Sequence, residues 1–162
     1  MKSPLALLLV LALSSPLAVL AADSHDSHDS HGKSEPHKLE LNAGKKWGTD
    51  AALRQAMLGI HKSVAHTLPA AHSGKATPAQ YDAFGKDVTA QVTYMVENCK
   101  LDPKADAQLH LIVADIMNGV EAAQGKQGEG KRAEGVVKVA QAANEYGKHF
   151  DHAGWKAIKL PH

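Results

Sequence analysis

The chain is poor in cysteine, in aromatic side chains and in net charge. One Cys among 162 residues excludes an intrachain disulfide framework and a CxxC redox pair. With 18 Lys plus Arg against 17 Asp plus Glu, the sequence has no basic footprint of the kind nucleic-acid binding needs, so no nucleic-acid partner is expected. The apolar run from Leu5 to Leu13 is shorter than the roughly 20 residues of a membrane-spanning helix, and Ser14, Ser15 and Pro16 interrupt it. No nucleophile elbow, phosphate loop or HExxH occurs. The Glu-x-x-His pairs of a di-iron carboxylate bundle are missing too, because Glu145 and His149 are four apart and no second helix supplies a match. The expectation is therefore a protein that is not an enzyme.

What is present begins with an export signal. Lys2 precedes the apolar run, and Val19 and Ala21 fit the small-x-small rule for cleavage, so residues 1–21 read as a signal peptide and the protein as secreted, into a periplasm. Loss of Lys2 leaves equal numbers of acidic and basic residues and no membrane span. Residues 22–37 follow, with Asp-Ser-His repeated three times and Pro36 and His37 at the end. Residues 23–37 carry no apolar residue, so this arm cannot offset the entropy of its own ordering and is expected to be disordered. In residues 38–49, Leu39 and Leu41 alternate with charged residues before an Asn-Ala-Gly turn, which predicts a short strand or an arm packed on the domain.

After Trp47 the pattern turns helical. Thr49 or Asp50 caps a first helix over about 50–72, with Leu53, Met57, Ile60, Val64 and Leu68 on one face and Pro69 expected to bend or end it. Thr77-Pro78 starts a second, carrying Tyr81, Phe84, Val88, Val92 and Met95 and stopping near Asn98. Leu101-Asp102-Pro103 opens a third, to about 124, with Leu109, Ile112, Ile116 and Val120 inward and Val113 and Met117 widening the stripe. Beyond the flexible Gly125-to-Gly130 connection, a fourth from about 131 to 151 carries Val136, Val139, Ala143, Tyr146 and Phe150. Four amphipathic helices with short connections predict an all-α, up-down-up-down four-helix bundle over residues 50–155, followed by a tail over 156–162. Ala90, Ala140 and Ala143 are expected on inward faces, letting helices approach closely or leaving room for a guest.

The 11 histidines are the most distinctive feature of the composition. His25, His28, His31 and His37 let several imidazoles reach one ion, and imidazole suits zinc, copper and nickel. In the bundle, Met57 and His61 are four apart, Met95 and Cys99 are four apart, and His149 and His152 are three apart, so each pair can share a helix face. Thioether, thiolate and imidazole are the ligands soft copper prefers. Each methionine also falls on a core stripe, where methionine is a common gap-filler. Asp106 stands one turn before His110 and can orient its ring, or the two form a surface pair. By up-down counting, Met57, Cys99 and His149 lie at one pole. His61, His66 and His72 lie on differing faces of the first helix and are not expected to build one site.

A thioether early in the first helix and an imidazole late in the fourth also form a workable axial pair for haem iron. In this respect the chain resembles the soluble periplasmic b-type cytochromes of the four-helix-bundle kind, over residues 50–152 and including the Asn144-Glu145-Tyr146-Gly147-Lys148-His149 stretch. The resemblance implies a non-covalent haem b held by Met57 and His149. The chain departs from that family in its His-rich arm, its Trp47 segment and its Cys99-Lys100-Leu101-Asp102-Pro103 turn, and it has no CxxCH for covalent haem. The strings Trp47-Gly48-Thr49-Asp50 and Asn98-Cys99-Lys100-Leu101 also resemble those of small exported bacterial proteins without assigned function, which implies an envelope location and one domain but says nothing of an activity.

The reading that follows is an exported transition-metal-binding bundle, copper foremost with zinc or nickel as other choices, serving buffering, tolerance or delivery. Its candidate ligands are His25, His28, His31, His37, Met57, Met95, Cys99, His110, His149 and His152. The alternatives are the haem b electron carrier and a cofactor-free module that binds another envelope protein through Tyr146, Phe150 and Trp155.

Overall fold

Each of the first three helices begins where a short polar side chain can satisfy an orphan backbone N–H. The structure, a computed structural model, describes residues 38–161. Helix α1 spans Ala51–His72 and is capped by Asp50, whose Oδ1 accepts from Leu53 N–H at 2.7 Å. Helix α2, Pro78–Asn98, starts with a capping box: Gln80 N–H donates to Thr77 Oγ1, and Thr77 N–H donates to Gln80 Oε1. Helix α3, Pro103–Ala123, is capped by Asp102. A single 3-10 turn, Glu129–Lys131, leads into α4, Arg132–His149.

Every residue of the four apolar stripes is buried, from Leu53 to Leu68, Tyr81 to Met95, Leu109 to Val120 and Val136 to Phe150, with Val113 and Met117 half-buried beside them. Ala140 and Ala143 are also inside, whereas Ala90 is exposed and lines the open cleft between α1 and α2. Each helix packs on the next in sequence and α4 packs on α1, so that the four enclose one core; α3 and α4 share the most extensive contact. They approach closely because glycines face each other. A Cβ placed on Gly135 would lie 2.5 Å from the Gly119 carbonyl oxygen, and one on Gly119 would lie 2.7 Å from Val139. Arg132 ties three elements together, donating to Asp82 on α2, to the Ala123 carbonyl at the end of α3, and to Glu129. Among the described residues no helix is long and apolar enough to cross a membrane.

One boundary differs from expectation. Helix α1 does end at His72, as its spacing predicts, with Pro69 inside its last turn. The loop then closes the last carbonyls, Ser73 N–H donating to Pro69 and Lys75 and Ala76 N–H to Ala70, with Gly74 at φ +68°. At the other extreme, α4 stops at His149 rather than near 151, since Phe150 is extended (φ −115°, ψ 139°) and pairs with Trp47. Trp47 N–H donates to the His149 carbonyl and Asp151 N–H to the Trp47 carbonyl, both at 2.8 Å. The segment before α1 is accordingly a packed arm with a tight turn at Asn42–Lys45, and Trp47 is buried.

The tail expected after residue 155 packs against the bundle. Asn144 holds the backbone of Ile158 from both sides, its Nδ2 donating to the carbonyl at 2.9 Å and its Oδ1 accepting from the N–H at 2.7 Å. Ile158 is buried, and Trp155 and Leu160 pack against the core.

Candidate functional site

The start of α1, the end of α2 and the start of α3 meet around one carboxylate. Asp50, while capping α1 with Oδ1, accepts from Lys100 N–H with Oδ2 at 2.6 Å, and the Cys99 thiol stands near it. Burial by itself would raise its pKa, but the backbone donors of Leu53 and Lys100, the thiol and the charge of Arg54 hold it below the usual carboxylate range. The same contact works the other way on the sulfur. Burial and the charges of Asp50 and Asp106 push the Cys99 thiol up to about 12. At neutral pH Cys99 is therefore a protonated thiol and a sluggish nucleophile.

One turn away, Cys99 lines a small cleft of about 230 Å³ between α2 and α3, together with Met95, Val96, Asp106, Leu109, His110 and Val113. Met95 reaches it from the core, being almost completely buried, and His110 from solvent, its side chain 71% exposed. His110 Nδ1 lies 2.9 Å from the Asp106 carbonyl oxygen and 3.4 Å from the Asp106 carboxylate. Because a carbonyl only accepts, Nδ1 carries a proton, and in the neutral ring Nε2 is then the acceptor. Two sulfurs, an oriented imidazole and a carboxylate thus line one cleft. They are not gathered as a closed cage: among the described residues no group of three or more His, Cys, Asp or Glu stands close enough to hold a metal ion.

The remaining candidates are distributed differently. Met57 is fully buried in the core with Leu53 and Ile60. His149 is mostly covered and donates from Nδ1 to the Glu145 carbonyl at 2.9 Å, which leaves its Nε2 as the ring acceptor. His152 does not share a helix face with it, because the helix has ended and the extended Phe150 turns the chain inward. Instead His152 is buried, with Nδ1 2.8 Å from the Tyr146 hydroxyl. Burial, reinforced by the charge of Arg54, lowers its pKa below 6.5. His25, His28, His31 and His37 lie outside the described residues. The aromatic surface expected of an interaction module is not one, since Tyr146 and Phe150 are fully buried and stack at 5.3 Å inside the fold.

Two groupings escape sequence reading. His61 donates from Nε2 to the Lys156 carbonyl at 3.0 Å and stands edge-on to Trp155. Trp155 in turn meets both Tyr146 and His152. These partners are separated by a helix end or by most of the chain, so no periodicity links them. A larger cleft of about 580 Å³ between α1 and α2 contains Lys62, His66, Asp87 and Gln91 among small residues, without the sulfur chemistry of the α2–α3 cleft.

In comparisons with known proteins, no family model, no curated protein and no solved structure matches the chain.

Proposed function

We propose that this protein is exported to the cell envelope, binds a soft transition-metal ion there, copper foremost, and buffers or delivers it without catalysing a reaction. The observation that supports the reading is that Met95, Cys99 and His110 line one cleft between α2 and α3. Those donors match the preferences of Cu(I) better than those of harder ions. The His25, His28, His31 and His37 tract, rich in imidazole, collects ions loosely, zinc and nickel included. Capture in the cleft requires the Cys99 proton to leave and the exposed His110 to swing inward, so the ion completes a site that the protein alone leaves open. Met57 is sealed in the core, His152 is engaged by Tyr146, and His149 does not line this cleft, so these three are not recruited.

The test is a Cu(I) titration of the signal-cleaved protein against a chromophoric chelator. One tight equivalent per chain is expected. It is lost in Met95→Leu/Cys99→Ser and kept when residues 23–37 are deleted, a deletion that removes the weak sites alone. Tight binding that survives Met95→Leu/Cys99→Ser overturns the cleft site. A Soret band with stoichiometric iron in protein purified from its own envelope replaces copper by haem, and the absence of any metal or haem leaves an interaction module.

A further inference from the structure

Beneath Trp155 lies a buried phenol whose hydroxyl meets an imidazole, a pair that metal binding does not use. Tyr146 is fully buried, stacked on Phe150 with ring centroids 5.3 Å apart and crossed edge-on by Trp155 at 4.9 Å. Its hydroxyl is 2.8 Å from His152 Nδ1. A neutral imidazole has one donor and one acceptor nitrogen. Donation from the phenol to Nδ1 satisfies the buried O–H, whereas the opposite polarity would strand it, so Tyr146 donates and His152 accepts.

Trp155 extends this pair outward. It is only half-buried, meets His152 at 5.1 Å and His61 at 5.3 Å, and its indole lies against Gly147, where a Cβ would collide with the ring. Its Nε1 is buried without a hydrogen-bond partner. An indole so placed can lose an electron but has no base to take its proton, while the phenol beside it has one aligned.

We propose that Tyr146 is a redox-active tyrosine, with His152 as its proton acceptor and Trp155 as the entry point for oxidising equivalents delivered by a one-electron oxidant at the surface. In the first step the oxidant takes one electron from Trp155 and is reduced, leaving an indole radical cation. An electron then passes from Tyr146 to Trp155, restoring the neutral indole. The phenol proton moves to His152 Nδ1 with that electron, leaving a neutral phenoxyl radical and an imidazolium. Return of one electron from a reductant and of the proton from His152 resets the pair. A phenol radical cation is so strong an acid that even an imidazole made less basic by burial takes its proton, and the same burial keeps His152 neutral and ready to accept. The inference is independent of the metal reading, because it uses none of the cleft residues.

Flash oxidation of the full chain by photoexcited tris(bipyridine)ruthenium, with a cobalt(III) ammine as electron sink, tests it by transient absorption and by EPR of frozen samples. A neutral tyrosyl radical is expected, forming more slowly in heavy water. Tyr146→Phe loses it and leaves a tryptophan radical, and His152→Asn loses the deuterium sensitivity and most of the tyrosyl yield. Tyr81→Phe/Tyr94→Phe, which removes the other two tyrosines and leaves the Tyr146 pair untouched, retains the full signal. Loss of the signal in that double variant, or an unchanged signal in Tyr146→Phe, overturns the proposal. So does an unchanged isotope effect in His152→Asn.

Discussion

At the scale of single residues, the contact between Asp50 and Cys99 shows how one side chain serves two purposes. Asp50 starts α1 and at the same time keeps the Cys99 proton in place. With the thiol up to about 12, only a small fraction is thiolate at pH 8, so alkylation of Cys99 by iodoacetamide is expected to be far slower than for a free cysteine. Asp50→Asn keeps a good N-cap while removing a negative charge beside the sulfur. It should speed alkylation by about tenfold for each pKa unit recovered, and mass spectrometry of time points reads it. An unchanged rate would mean that burial alone protects the thiol. The Met95–Cys99 pairing was legible from spacing and so was Asp106 beside His110; that the two pairs share a cleft was not, because it depends on how α2 lies on α3.

At the scale of elements, the helix starts were the most legible part of the chain. Thr77-Pro78 and Asp102-Pro103 act locally, through a side-chain acceptor and a fixed proline φ, so their reading did not need the rest of the molecule. The end of α4 was illegible for the opposite reason, as it is set by Trp47, about a hundred residues away in sequence, pairing with Phe150. The α3–α4 contact likewise depends on what faces Gly119 and Gly135. Gly135→Ala would raise intrinsic helix propensity by about 1 kcal/mol, but its methyl would press on the backbone of Gly119 and Ala123. A net loss of about 1–3 kcal/mol, the usual range for overpacking, is expected in urea denaturation. A stabilised variant would show that the two helices can separate freely.

At the scale of the whole molecule, the C-terminal residues close one end of the core. Ile158, held by Asn144, packs inside together with the Tyr146–His152 pair, with Trp155 against them. His152 resists protonation when folded more than when unfolded, mainly through burial and further through Arg54. Its contribution to stability is thus complete above its ordinary value of 6.5 and is lost as the pH falls toward the lower folded value. Asp50, whose folded pKa is below 3.8, adds a second loss only in more acid solution. Thermal midpoints measured from pH 8 to pH 3 should therefore fall in two stages. His152→Gln should remove the upper one, and a variant that keeps it would place the responsible histidine elsewhere.

The sequence by itself determined the all-α class, the four helices, their inward stripes and the sulfur, imidazole and carboxylate groups available for chemistry. These follow from periodicity and caps, which act over one or two turns. Only the tertiary structure decided that Met95, Cys99, Asp106 and His110 share a cleft while Met57 is sealed in the core, and that His152 turns inward to Tyr146. The physical reason is that helix spacing sets which residues share a face, whereas the identity of the opposing face, and the point at which a helix yields to an extended pairing, are set by contacts between distant parts of the chain.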